Sequence, residues 1–175
     1  MNIRTMAITH RPLTHAEALR LHQELKTTPN ILGYTVPELE RLGDVQVAEV
    51  RGDFAGACWS VDLAQGWTEI AALYILPDFR GLGIGEELFH AAWERAQTRE
   101  RHVYVLSRNP QVVGWMRELG MTVNGKLWCA PLAVHWYMQW YMMSWHRVVE
   151  SVRKGREISR CPRLVQGMKR WGRAG

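Results

Sequence analysis

The spacing of apolar positions changes several times along the chain, and each change predicts a new element. Residues 2–9 predict an opening strand, which Arg11-Pro12 ends. Thr14-His15-Ala16-Glu17 has the order of a capping box, and Leu19, Leu21 and Leu25 follow on the helix it starts. Thr35-Val36-Pro37-Glu38 opens a second, short helix that Gly43 closes. The period then falls to two. Val45, Val47 and residues 49–51 read as a strand, Arg51-Gly52-Asp53 as a tight turn, and residues 54–63 as the returning arm of a hairpin. A turn at Gln65-Gly66 leads into a fourth strand over 68–76, ended by Pro77. Ile84, Leu88 and Ala92, flanked by Phe89 and Ala96, then form the stripe of a helix reaching about residue 100.

The second half reads less regularly. Residues 102–107 form a buried-type strand. Asn109-Pro110 supplies an N-cap with proline at the first helical position, and Gly120 a C-terminal signal. A further strand begins at 122–126. Val134, Trp136, Met138, Trp140 and Met142 alternate with His135, Tyr137, Gln139 and Tyr141, which predicts a strand with one apolar face. A basic helix over about 144–156 and an irregular tail complete the expectation. The organisation expected is a domain over 1–143 and a basic helix and tail over 144–175.

Composition narrows the class. With 47% hydrophobic and 22% charged residues in 175, the chain suits one globular domain with a real core. Nine tryptophans are many for this length, and a heavily aromatic core is the first reading of them. The formal charge of +5 is unevenly held. From Arg147 onward nine basic residues face only Glu150 and Glu157, a net +7, and the remainder carries −2. Such a tail suits a solvated helix face, or contact with nucleic acid, an acidic membrane surface or an acidic protein. Cys58, Cys129 and Cys161 have neither disulfide-framework nor metal-site spacing, and the seven histidines show no ligand spacing, so no metal is expected. No signal peptide is evident and no run reaches the roughly 20 apolar residues of a spanning helix, which makes a cytoplasmic protein without a membrane span the expectation.

The strongest chemical signal is Arg80-Gly81-Leu82-Gly83-Ile84-Gly85, set between a strand and a helix. The first amides of a helix lack intrahelical partners, and its dipole adds partial positive charge there. Glycines let an anion approach the backbone, and Arg80 adds a fixed charge. A Walker A loop is excluded, because no Gly-Lys-Ser/Thr follows. A dinucleotide fingerprint is excluded as well, because Glu86 stands where its last glycine belongs. Arg-x-x-Gly-x-Gly remains.

With its strand, from Thr68-Glu69-Ile70 through Leu76-Pro77 to Gly85, this stretch resembles the central motif of the GNAT superfamily of N-acetyltransferases. Asn109 and Arg117-Glu118-Leu119-Gly120-Met121 are similar to that superfamily's next motif, so the resemblance covers about residues 45 to 125. It implies an α/β fold with a mixed central sheet of six to seven strands, splayed between strands 4 and 5 and flanked by helices. It also implies acetyl-coenzyme A in the gap, as acyl donor to a primary amine. Leu73 and Ile75 would then bond the pantetheine arm like an added strand, since residues two apart offer their backbone to the same edge. The amides of residues 81–85 would take the pyrophosphate, and Asn109 would touch the pantetheine or cap its helix.

Direct transfer needs a base for the amine and an acid for the leaving thiol. Glu69 occupies the position where several members place a base, a position that equally suits an exposed strand-end glutamate. Many members place the acid tyrosine four residues before the glycine that closes the helix after Asn109, and that residue here is Met116, which has no proton to give. Ser107 or a tyrosine such as Tyr104 is the substitute, or the thiolate leaves unassisted. His135 and Trp136, on the expected last strand, are candidates for the acceptor pocket. The competing reading is a GNAT-like scaffold without catalysis, working through its Trp-rich strand and basic tail. That tail admits a nucleic-acid or protein partner, and the exposed strand edge admits a homodimer.

Overall fold

Thr14 and Thr35 each close a reciprocal capping box in the computed structural model, which describes residues 6–28, 31, 33–143, 145–158 and 162–171. Glu17 returns a carboxylate oxygen to the Thr14 N–H at 2.8 Å, and Glu38 does the same for Thr35 at 2.8 Å. These boxes start α1 (His15–Thr27) and α2 (Val36–Glu40), and each satisfies amides that a helix start leaves without partners. Residues 2–5 of the expected first strand lie outside the described residues. The rest of it forms β1 (Met6–His10).

The hairpin pairs β2 (Asp44–Val50) with β3 (Asp53–Asp62), and β4 (Trp67–Ile75) continues the antiparallel meander. After the glycine turn, α3 (Ile84–Thr98) crosses over and β5 (His102–Ser107) returns parallel to β4. Then come α4 (Pro110–Glu118), β6 (Thr122–Asn124), α5 (Leu132–Met142), α6 (Trp145–Ile158) and β7 (Val165–Lys169). The seven strands lie in the order β1-β2-β3-β4-β5-β7-β6. This is the mixed sheet with flanking helices that the sequence predicted.

Two expectations on the C-terminal side are corrected. Residues 134–142 form a helix, not a strand: Ala133, Val134, Tyr137, Met138 and Tyr141 turn inward at helical spacing. The outward positions Leu132, Trp136 and Trp140 are apolar too, so the alternation was that of a helix apolar on both faces. The strand edge on which a homodimer was expected is therefore not there. Nor is the tail irregular throughout, because residues 165–169 are β7, bonded between β5 and β6.

The sheet separates two sets of packed side chains. Ile84, Leu88, Phe89, Trp93, Val112 and Met116 cover one face, against Ile70, Val103 and Val105. Leu21, Leu25, Leu39 and Tyr34 pack on the other face against Trp59, Ala72 and Tyr74, and α5 continues that layer over Tyr104.

Candidate functional site

β4 and β5 are bonded only over Trp67–Ile70 and His102–Val105, although β4 runs on to Ile75. Beyond Ile70 the two strands part, and a cavity of about 450 Å³ opens in the gap. Which groups face it follows from the pairing with β3. The Leu76 N–H donates to the Ala55 carbonyl at 2.9 Å, and alternation gives Tyr74 and Ala72 to the same partner. The backbone groups of Leu73 and Ile75 are thereby left to the open edge.

A bulge sets the side chains. The β3–β4 register passes from Trp59↔Ala72 to Ser60↔Ile70, so Ala71 is an extra residue. Ile70 consequently shares the α3 face with Leu73 and Ile75, despite the odd spacing. Glu69 turns to the opposite face, where Tyr104, Tyr137 and Tyr141 feel its charge.

The cavity reaches both faces of the sheet. Phe89, Val105, Ser107, Asn109 and Val112 line it on the side of α3 and α4. On the other side Tyr34, Glu69, Tyr137, Met138 and Tyr141 line it. The tilted rings of Tyr137 and Tyr141 have centroids 5.7 Å apart, and the Tyr34 ring lies 6.1 Å from that of Tyr141. Glu69 is only 4% exposed, and its Oε2 is buried with no hydrogen-bond partner among the described residues. Burial without a compensating cation disfavours the carboxylate and pushes its pKa up to about 7. This is a buried acid poised near neutrality inside a cavity, not the exposed strand-end glutamate.

The glycine turn lies at the head of α3. Gly81 and Gly83 have φ of 77° and 78°, a region that side chains with a Cβ enter only at a cost. Gly83 is the residue before the helix, so the first amides of α3 follow it. Gly85 is different, since a Cβ there would meet Trp115, Ile75 and Leu73 at ordinary distances of 3.5 to 3.8 Å. Leu82 is half-buried and Ile84 buried against the core, which anchors the turn. Arg80 is exposed but held: its Nε donates to the Ile75 carbonyl at 3.1 Å and an Nη to the Tyr74 hydroxyl at 3.0 Å. The Tyr74 hydroxyl donates in turn to Glu24 at 2.8 Å. The Ile75 carbonyl, expected to face a ligand, is thus engaged by Arg80.

At the end of β5, the Ser107 Oγ accepts from the Asn109 N–H at 3.1 Å, and the Asn109 Oδ1 accepts from the Gln111 N–H at 3.0 Å. Asn109 is therefore the cap of α4, and accepting at the oxygen leaves the Ser107 proton unused by that bond. Tyr104 is buried, and its hydroxyl donates to Gln166 on β7 at 3.2 Å. Met116 is fully buried, and its Sδ lies where a Cβ on Gly167 would come within 2.7 Å. The residue at the tyrosine position thus fills the core against β7.

His135 and Trp136 are exposed on the outer face of α5, which corrects their expected place in the pocket. Tyr137 and Tyr141, whose four-residue spacing on a helix is the signal the sequence carries, join the site unexpectedly, with Tyr34 beside them. Nor is the basic segment simply the solvated face that its charge suggests. Arg147 is instead 6% exposed, donating to Glu38 at 2.7 Å and stacked 3.7 Å over the Tyr141 ring. Lys154 is 3% exposed and donates to the Leu25 and Ile31 carbonyls at 2.7 and 2.9 Å. Cys58 is buried and Cys129 exposed, both free, and Cys161 lies outside the described residues. Among the described residues no cluster suits a metal ion, and no helix is long and apolar enough to cross a membrane.

A family model described as acetyltransferase (GNAT) family matches residues 14–121. No curated protein matches the chain. Solved structures do. N-acetylglutamate synthase from Neisseria gonorrhoeae, complexed with coenzyme A and N-acetyl-glutamate, superposes with a TM-score of 0.62 at 18% identity. The match covers 94% of this chain but 36% of that one, so the chain spans about a third of that enzyme's length. Rv2747 from Mycobacterium tuberculosis, in complex with CoA and NLQ, gives 0.62 at 17% identity, covering 90% and 97% of the two chains. Ribosomal-protein-alanine N-acetyltransferase from Brucella melitensis gives 0.55 at 21%, covering 67% and 85%. At these identities the likeness is one of fold.

Proposed function

The chain belongs to the acetyltransferase (GNAT) family, and from that premise we propose that it transfers an acetyl group from acetyl-coenzyme A directly to a primary amine, with Glu69 as the base. The observation that carries this reading is Glu69 itself, a buried carboxyl with its pKa near 7 and a partnerless oxygen inside the cavity at the splayed strands. The geometry fits the donor. The open edge of β4 at Leu73 and Ile75 offers backbone groups to the pantetheine amides, once Arg80 releases the Ile75 carbonyl. The amides of Gly81, Leu82, Gly83, Ile84 and Gly85 would hold the pyrophosphate at the start of α3, with Arg80 beside it. Asn109 would contact the pantetheine arm while still capping α4. Bound there, acetyl-coenzyme A supplies an activated acetyl group.

The chain's own residues do the rest. Above about pH 7 the Glu69 carboxylate accepts a proton from the acceptor ammonium, directly or through a water, and uncovers the nucleophilic lone pair. The cavity walls at Tyr34, Tyr137 and Tyr141 shield that step from bulk water and orient the amine. Ser107 Oγ would give its proton or a hydrogen bond to the departing sulfur. Tyr137 lines the same cavity and would be the alternative donor, whereas Tyr104 is committed to Gln166. Burial raises the Tyr137 pKa above its ordinary value, so it stays protonated at neutral pH.

The test is thiol release from acetyl-coenzyme A over a panel of amines and N-terminal peptides. Wild type should turn over with a rate that climbs through about pH 7, and Glu69→Gln should lose about 100-fold or more. Ser107→Ala and Tyr137→Phe tell the two hydroxyls apart. A Glu69→Gln variant with an unchanged rate and pH profile would remove Glu69 from the chemistry.

A further inference from the structure

We infer that the acceptor is a monoamine on an apolar carbon skeleton, with no carboxylate on the carbon that bears the amine and no second charge. This deepens the reading of Glu69 as the base and rests on it for the place of the amine. The walls around Glu69 make the selection.

Glu69 shares its side of the cavity with Ile31, Tyr34, Tyr137, Met138 and Tyr141. The rings form one cluster. Tyr141 is 5.7 Å from Tyr137 and 6.1 Å from Tyr34, whose own ring meets Trp59 edge-on at 5.2 Å. Aromatic rings attract an organic ammonium and also accept hydrocarbon. Ile31 and Met138 add apolar side chains. The acceptor therefore meets one acid set in an aromatic and aliphatic wall.

Charge decides what the rest of the acceptor can carry. Among the described residues, the charged side chains that line the cavity are Glu69 and Arg108. Glu69 is in register with Tyr104, and Arg108 stands four residues beyond Tyr104. At the usual rise of a strand that is roughly 13 Å of backbone. Arg108 Nη1 donates to the Pro162 carbonyl at 2.9 Å. Arg147 does not line the cavity; it stacks on the Tyr141 ring and donates to Glu38 at 2.7 Å. A carboxylate on the amine-bearing carbon cannot leave the neighbourhood of the nitrogen. It would face the Glu69 carboxylate inside an apolar wall, which raises the energy of both anions. A second ammonium would be stripped of water with no second acid to meet it. An uncharged hydrocarbon or aromatic body meets neither obstacle and gains from burial.

The experiment compares acceptors that differ in one group, using the full chain and acetyl-coenzyme A at about pH 8, where the base is ionised. Phenethylamine should exceed phenylalanine in kcat/KM by about 100-fold or more, and phenylalaninamide, which lacks the negative charge, should recover about 10-fold of the difference. Pentylamine should exceed cadaverine, the diamine of the same length, by about 10-fold. Tyr141→Leu should raise the KM for phenethylamine about 10-fold and leave that for acetyl-coenzyme A unchanged. Calorimetric binding of phenethylamine, in preference to phenylalanine, to the complex with coenzyme A checks the pocket without turnover and without any variant. Phenethylamine that binds but is not acetylated would support the pocket and remove the transfer reading. Phenylalanine, cadaverine or an N-terminal peptide acetylated as well as phenethylamine would overturn the inference and leave acetyl transfer standing. An unchanged KM in Tyr141→Leu, or phenethylamine that neither binds nor reacts, would overturn it too.

Discussion

At the scale of single residues, Glu69 shows a conflict between stability and chemistry. Its folded-state pKa of about 7 lies above the ordinary value of 4.5. Between those values the unfolded chain has released the proton and the folded one has not, so stability falls as pH rises through that window. Above it the cost is constant, at up to about 3 kcal/mol. Glu69→Gln, which cannot ionise, should therefore be more stable than wild type at about pH 9 and little different at about pH 4, as read from thermal unfolding at the two values. A loss of stability at the high value would show that the carboxylate has a partner the structure does not reveal. Met116 illustrates the opposite case. The sequence showed that it could not be the acid, and only its contact with β7 shows what it does instead.

The elements divide by how local their signals are. Gly81 and Gly83 hold positive φ at the head of α3, and Gly85 does not. Gly83→Ala should cost about 1–2 kcal/mol and weaken acetyl-coenzyme A binding in calorimetry, while Gly85→Ala should leave the melting temperature nearly unchanged. Capping boxes, the hairpin turn and the glycine turn were readable because each is written within a few consecutive residues. α5 was misread because both of its faces are apolar, so Trp136 and Tyr137 differ in exposure but not in kind. β7 was missed because Val165-Gln166-Gly167-Met168-Lys169 carries little strand character of its own. Its strand form comes from pairing on both sides with distant β5 and β6. In the candidate site, the glycine turn, Glu69 and the β4 edge were legible. The bulge at Ala71, which decides the face Glu69 occupies, left no mark in the hydrophobic pattern.

For the whole molecule, the C-terminal segment expected as a basic helix and tail supplies a strand of the central sheet, β7. Arg147 and Lys154 tie α6 to α2 and to the end of α1. Gln166 is fully buried, donating to Asn124 and Lys126 while accepting from Tyr104. We therefore expect a chain cut after residue 143 to lose a large share of the roughly 5–15 kcal/mol that holds a domain folded, and circular dichroism should show no cooperative melt. A cooperative melt close to that of the full chain would restore the division at residue 143. The place of β7 also bears on how the protein is made. It is the last described element to leave the ribosome, yet it lies between two strands synthesised well before it. Until residues 165–169 emerge, β5 presents an open edge to any neighbouring chain. The growing polypeptide keeps that edge open until the strand has left the ribosome, and slowing synthesis before that point would lengthen the exposure.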